Sequence, residues 1–134
     1  PYLVKDIIAP DGTVIKHFDP VVERDLNIDP SVISLVQEGL HEVSTVGTAA
    51  AMFKDFPVPI AGKTGTAENS HGREHGWFVA YGPFDNPNIA VAVIVENAGY
   101  GATSAVPIGY KILSAAFGLD KPKTPENQPA PAQQ

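Results

Sequence analysis

The sequence of 134 residues has no cysteine. That excludes disulfides and thiolate metal sites, and it leaves the redox compartment open. Positive charge is also scarce, with nine Lys and Arg against fifteen Asp and Glu and a formal net charge of −6. The basic residues are scattered and form no stripe, which argues against a nucleic-acid partner, whose phosphates demand clustered cations. Long apolar runs are missing too. The longest, Ile89 to Val95, is strand-sized, far short of the roughly 20 residues that span a bilayer. No signal peptide is visible and the chain does not begin with Met. Its abrupt opening, Pro1-Tyr2-Leu3-Val4, is already strand-like and reads as a piece of a longer protein.

What is present suits one domain with a modest core, since 43% of the residues are hydrophobic. Tyr2 to Ile8 and Thr13 to Phe18 are β-type runs around a turn signal, Ala9-Pro10-Asp11-Gly12, and predict a hairpin. Asp29-Pro30 opens a helix, with Asp29 as N-cap and Pro30 at the first helical position. Val32, Val36, Leu40 and Val43 fall on its expected core face, flanked by Ile33 and Leu35, and it ends near Val43 or Ser44. A short helical stretch covers Ala49 to Phe53.

Three strands follow, Ile60 to Glu68, His75 to Gly82, and Ile89 to Glu96, the last read as buried on both faces. Their short connections predict an antiparallel meander. A closing helix runs from about Ser104 to Phe117, with Pro107 tolerable only in its first turn. From Gly118 onward the chain holds four prolines in 17 residues, with almost nothing to bury, and reads as a disordered tail. The class is α+β, an antiparallel sheet flanked by helices.

Chemistry concentrates in Ala61-Gly62-Lys63-Thr64-Gly65-Thr66-Ala67-Glu68, a lysine and two threonines among glycines. A phosphate loop would need glycine where Pro57 stands and a helix after the lysine, and neither condition is met. His71-Gly72-Arg73-Glu74-His75 matches a zinc-peptidase spacing, but that pattern needs a helix, and Ser70, Gly72 and Gly76 break one. The stretch reads as a polar loop, with no metal and no cofactor. His17 and His41 read as surface positions, and His75 as structural.

The third reading is nucleophilic catalysis. Lys63-Thr64-Gly65-Thr66-Ala67 is followed by a polar loop and then by His75-Gly76-Trp77-Phe78-Val79-Ala80-Tyr81-Gly82-Pro83. Asp85-Asn86-Pro87 and Ile89-Ala90-Val91-Ala92-Val93-Ile94-Val95-Glu96-Asn97 complete the run. This succession resembles the C-terminal half of the transpeptidase domain of penicillin-binding proteins, most closely the class B type used in cell elongation or division. Leu3-Val4-Lys5 with Asp11-Gly12, and Gly47-Thr48-Ala49, also match that family's pattern. The resemblance covers roughly residues 1–117.

The resemblance implies a partial β-lactamase/transpeptidase-like fold and a serine acyltransferase site of three elements: Ser-x-x-Lys, Ser-x-Asn, and the Lys-Thr-Gly strand. Only the third is in this chain. Ser31, Ser34, Ser44, Ser70, Ser104 and Ser114 have no lysine three residues on and no asparagine two residues on. By resemblance, Lys63 supplies positive charge to the substrate's terminal carboxylate, and the Thr64 and Thr66 hydroxyls bond it. Gly65 leaves room for a peptide or β-lactam against the strand. The Thr66 backbone N–H serves as one of two oxyanion-hole donors.

The implied parent is a peptidoglycan D,D-transpeptidase, anchored by an N-terminal membrane helix and facing the extracytoplasmic, periplasmic side. Its partners would be stem peptides and β-lactams. Carboxypeptidase, serine β-lactamase and non-turnover sensor remain alternatives. The family fold pairs the last strand with one preceding the catalytic serine, so this chain alone is expected to expose the edge of Ile89 to Glu96 and to self-associate there.

Overall fold

The computed structural model describes residues 3–120. The chain divides into two units, Pro1–Pro30 and Ser31–Gln134. In the first, strands β1 (Asp6–Ile8) and β2 (Val14–His17) pair antiparallel, with Ile7 opposite Lys16. The turn closes through an Ala9 N–H bond to the Thr13 carbonyl and a Gly12 N–H bond to the Ala9 carbonyl. Gly12 sits at φ +88°, where glycine carries no steric penalty. The Asp11 carboxylate accepts the Thr13 N–H at 3.0 Å, the local side-chain bond that favours aspartate in turns. Tyr2, expected at the start of this hairpin, lies outside the described residues.

Helix α1 (Pro30–Thr45) opens on the proline expected there, the last residue of the first unit, and its other residues belong to the second unit. Its expected core face is only partly realised. Leu40 and Val43 are half-buried, whereas Val32 and Val36 are 50% and 55% exposed. The apolar stripe thus meets the core only along the last turns of the helix. The α1 C-terminus is closed by Val46 and Gly47 N–H groups bonding the Glu42 carbonyl, and by the Ala49 N–H bonding that of Val43. Helix α2 (Ala50–Phe53) follows.

Strands β3 (Ala61–Ala67), β4 (His75–Gly82) and β5 (Ile89–Val95) form one antiparallel sheet in that order, as the meander reading expected. Lys63 lies opposite Val79, Gly65 opposite Trp77, and Trp77 in turn opposite Ile94. Alternation along β4 and β5 sorts the faces. Phe78, Ala80 and Val93 are buried, and Val79 and Ile94 are exposed on the other side. The expectation that β5 is buried on both faces therefore fails. Ala90, Ala92 and Ile94 are exposed, because helical cover lies on one face only among the described residues.

That cover is helix α3 (Gly101–Ala116). It starts three residues before the expected Ser104, which puts Pro107 inside the helix rather than in its first turn. The early start has a steric cause. Gly101 has no Cβ, and one placed there would meet the carbonyl oxygens of Trp77 at 2.2 Å and Gly65 at 2.3 Å. Gly109 likewise lies close against the Phe78 ring. The core under α3 joins Phe53, Phe56, Ile60, Phe78, Val106 and Leu113, with Phe53, Phe56 and Tyr110 in mutual edge or tilted ring contact.

Residues 118–120, expected as the start of a loose tail, instead close α3. Gly118 takes φ +71°, and Leu119 bonds back to the Ser114 carbonyl, a glycine C-cap. The rest of that expected tail lies outside the described residues. No helix among the described residues is long and apolar enough to cross a membrane.

Candidate active site

The Lys63–Thr66 run lies on β3, at the edge of its sheet, since among the described residues β3 pairs only with β4. Side chains alternate along it. Lys63 and Gly65 share a face with Val79 and Trp77, and Thr64 and Thr66 share one with Phe78 and Gly76. A Cβ at Gly65 would sit 3.1 Å from the Trp77 Cβ, close enough that one strand must give by a few tenths of an ångström. Trp77, 38% exposed, is a wall of the open face, while Phe78 is wholly buried.

The backbone orientation of this edge follows from one contact. Lys63 Nζ donates to the Thr64 carbonyl at 2.7 Å, so that carbonyl points away from β4. In an antiparallel pair, alternate residues direct both N–H and C=O the same way. The Thr66 N–H therefore also points outward along the free edge. Within four residues of extended chain the run thus carries a primary ammonium on one face, two hydroxyls on the other and an outward N–H along the edge, all hydrogen-bond donors that suit an anion.

Three elements hold this strand. At its start the Ile60 carbonyl accepts a bond from His41 Nδ1 at 2.7 Å and one from the Ser44 hydroxyl at 2.9 Å. Because a carbonyl only accepts, His41 carries its proton on Nδ1. Ser44 has a single proton, shared between Ile60 and the His41 carbonyl 2.7 Å away. His41 also stacks on Phe84 with ring centroids 4.5 Å apart. The reading of His41 as a mere surface position is thus corrected: it is half-buried and ties α1 to β3. In mid-strand, the Thr48 and Thr64 hydroxyl oxygens are 2.7 Å apart. Near the end, the Gly65 carbonyl abuts Gly101 at the start of α3. Sequence reasoning singled out Gly47-Thr48-Ala49 but gave Thr48 no contact, since spacing alone cannot bring residue 48 to residue 64.

Residues 71–74 form a loop with no helix in it, and His75 opens β4. His75 Nδ1 accepts the Asn97 N–H at 2.9 Å, a structural bond across the strand ends, and Asn69 donates to the Asn97 side chain at 2.6 Å. Among the described residues no three His, Asp or Glu side chains gather as metal ligands would. His17 pairs with Asp6 across the hairpin of the first unit, away from β3 in sequence. An open groove of about 420 Å³ runs along the uncovered sheet face between Leu40 and Val79, Tyr81, Ala90 and Ala92, with Lys63 at its rim.

Comparison with known proteins places the chain among relatives of one family. The family model described as penicillin binding protein transpeptidase domain matches residues 1–114. The chain is 33% identical to peptidoglycan D,D-transpeptidase MrdA of Haemophilus influenzae, covering all of this chain and 23% of that protein. It is 34% identical to peptidoglycan D,D-transpeptidase PbpA of Mycolicibacterium smegmatis, over 87% of this chain and 25% of that protein.

Among solved structures, penicillin-binding protein A from M. tuberculosis as a ceftriaxone acyl-enzyme complex superposes with a TM-score of 0.67. It has 33% identity and covers 87% of this chain and 28% of that chain. Pseudomonas aeruginosa PBP2 in complex with WCK 5153 superposes at 0.66, with 37% identity over 79% of this chain and 24% of that chain. The chain thus spans about a quarter of the length of these relatives.

Proposed function

We propose a function from one premise: this chain belongs to the penicillin-binding protein transpeptidase domain family. Its role is to supply the Lys-Thr-Gly wall of a serine-type peptidoglycan D,D-transpeptidase. The parent's serine is acylated by a stem peptide ending in D-Ala-D-Ala, and the acyl group then passes to an amine of a neighbouring strand. β-Lactams acylate the same serine.

The observation that carries this reading is the edge of β3. Lys63 and the Thr64 and Thr66 hydroxyls would receive the substrate's terminal carboxylate. The outward Thr66 N–H would stabilise the oxyanion, a contribution worth about 10²–10³ in rate for one such donor. Gly65 presents no side chain, so a peptide or β-lactam would lie directly against the strand.

The nucleophile is not among this chain's serines, so the chain alone is inactive. The parent works at the extracytoplasmic face of the membrane, anchored outside this segment. Taken alone, the chain self-associates through β5, whose outer edge has no partner strand among the described residues.

The test is a labelled penicillin. This chain forms no denaturation-resistant adduct, and the full-length parent forms one per molecule. In the parent, Lys63→Ala slows acylation at least tenfold, as expected for losing a charge-assisted bond. Near-normal acylation of that variant would make Lys63 a solvated strand lysine and overturn the assignment.

A further inference from the structure

The Thr48–Thr64 contact has no part in the function above. Thr48 lies in the tight connection between α1 and α2, and that connection is fixed from both sides. Gly47 N–H bonds the Glu42 carbonyl at 2.8 Å, Ala49 N–H bonds that of Val43 at 2.9 Å, and Ala50 N–H bonds that of Gly47 at 3.1 Å. Gly47 packs so closely on α1 that a Cβ there would sit 2.8 Å from the Val43 Cα. Ala49, on the other side, is 1% exposed in the core. The Thr48 hydroxyl therefore comes to Thr64 from a rigid mount, at 2.7 Å and with either oxygen able to donate.

A threonine hydroxyl has one proton and two lone pairs. If Thr64 spends its proton on Thr48, none is left for an anion at the free edge. If Thr48 donates instead, the Thr64 proton turns outward, and the two hydroxyls form a chain ending at the anion. Each bond in such a chain polarises the next, which strengthens the terminal one. The Thr64 carbonyl is meanwhile engaged by Lys63 at 2.7 Å, so Lys63 and Thr48 together hold the carbonyl and the hydroxyl of Thr64.

We propose that Thr48 is a positioning residue for carboxylate recognition: it donates to Thr64 Oγ1 and so commits the Thr64 proton to the substrate's carboxylate. This rests on the assignment of Thr64 to the carboxylate site.

The test uses the full-length parent and a β-lactam offered both as the free carboxylate and as its methyl ester, with second-order acylation rates measured for each. Thr48→Val keeps the shape and removes the hydroxyl. It lowers the preference for the carboxylate about five- to tenfold, the effect of one hydrogen bond, and Thr48→Ser restores it. On a Thr64→Val background, Thr48→Val costs little more, because the two act as one unit. An unchanged preference in Thr48→Val beside a reduced one in Thr64→Val overturns the positioning role alone. An equal loss on both substrates, or no rescue by serine, makes Thr48 merely structural and also overturns it. If Thr64→Val itself leaves the preference intact, the carboxylate assignment fails, and this inference with it.

Discussion

Replacing Gly101 with alanine tests how the helical layer sets the site. By helix propensity alone, alanine is better than glycine by up to about 1 kcal/mol. Packing opposes this. The added Cβ would stand 2.2 Å from the Trp77 carbonyl oxygen and 2.3 Å from that of Gly65. Real Cβ atoms essentially never come within 3.0 Å, so α3 or the sheet must move by at least 3.0 − 2.2 = 0.8 Å. Both obstacles are backbone atoms of paired strands, which cannot rotate away as a side chain tip can.

Overpacking of this kind costs about 1–3 kcal/mol, which outweighs the propensity gain. Trp77 is the only tryptophan and lies at the point of contact, so its fluorescence during urea unfolding reports the change directly. Gly39→Ala is the internal control. It lies within α1, and a Cβ there would meet nothing within 4 Å. Propensity should therefore act alone and raise stability by up to about 1 kcal/mol. If Gly101→Ala unfolds at the same urea concentration as wild type or higher, the seating of α3 on these carbonyls is refuted.

Two further outcomes concern the rest of the chain. The Asp11 carboxyl is held below its ordinary value of 3.8, first by the Thr13 backbone N–H and then by the Thr13 side chain. A depressed folded value means the turn's support is present above the unfolded value and lost as pH falls through the folded one. An NMR titration should place the Asp11 midpoint below that of Asp11 in the isolated 9–13 peptide, and coincident midpoints would remove the turn bond from the account. Light scattering on this chain should show mass rising with concentration, and Ala92→Lys, on the exposed side of β5, should reduce it. A monodisperse monomer at high concentration would contradict pairing through that edge.

Most of the element order is legible in the sequence because local signals and tertiary packing agree. Asp29-Pro30 marks the α1 start, Pro-Asp-Gly the first turn, and apolar runs the three strands. The misreadings share a cause, which is that a sequence does not say how many layers cover a face. Val32 and Val36 have helical periodicity, yet both stay half exposed. Ile89 to Val95 is aliphatic throughout, yet its helical cover lies on one side only among the described residues. The α3 start eludes a local reading because its steric licence lies in Gly101 against carbonyls 24 and 36 residues away in sequence. Lys63 to Thr66 can be identified by motif, whereas the supports His41, Ser44 and Thr48 meet β3 only in three dimensions.

The two hydrogen bonds accepted by the Ile60 carbonyl, from His41 and from Ser44, set the register of β3. A strand repeats every two residues, so sliding β3 by one would exchange its faces. Lys63 would then stand where a threonine belongs, and the outward N–H would pass to its neighbour. Hydrogen bonding to β4 alone resists such a slip weakly on a run with two glycines and little apolar bulk. The anchors at His41 and Ser44 act as a key, because a shift of one residue, about 3.4 Å, would break both bonds at once. Which donors of β3 face its free edge is thus decided one residue before the strand begins, by the last turns of a neighbouring helix.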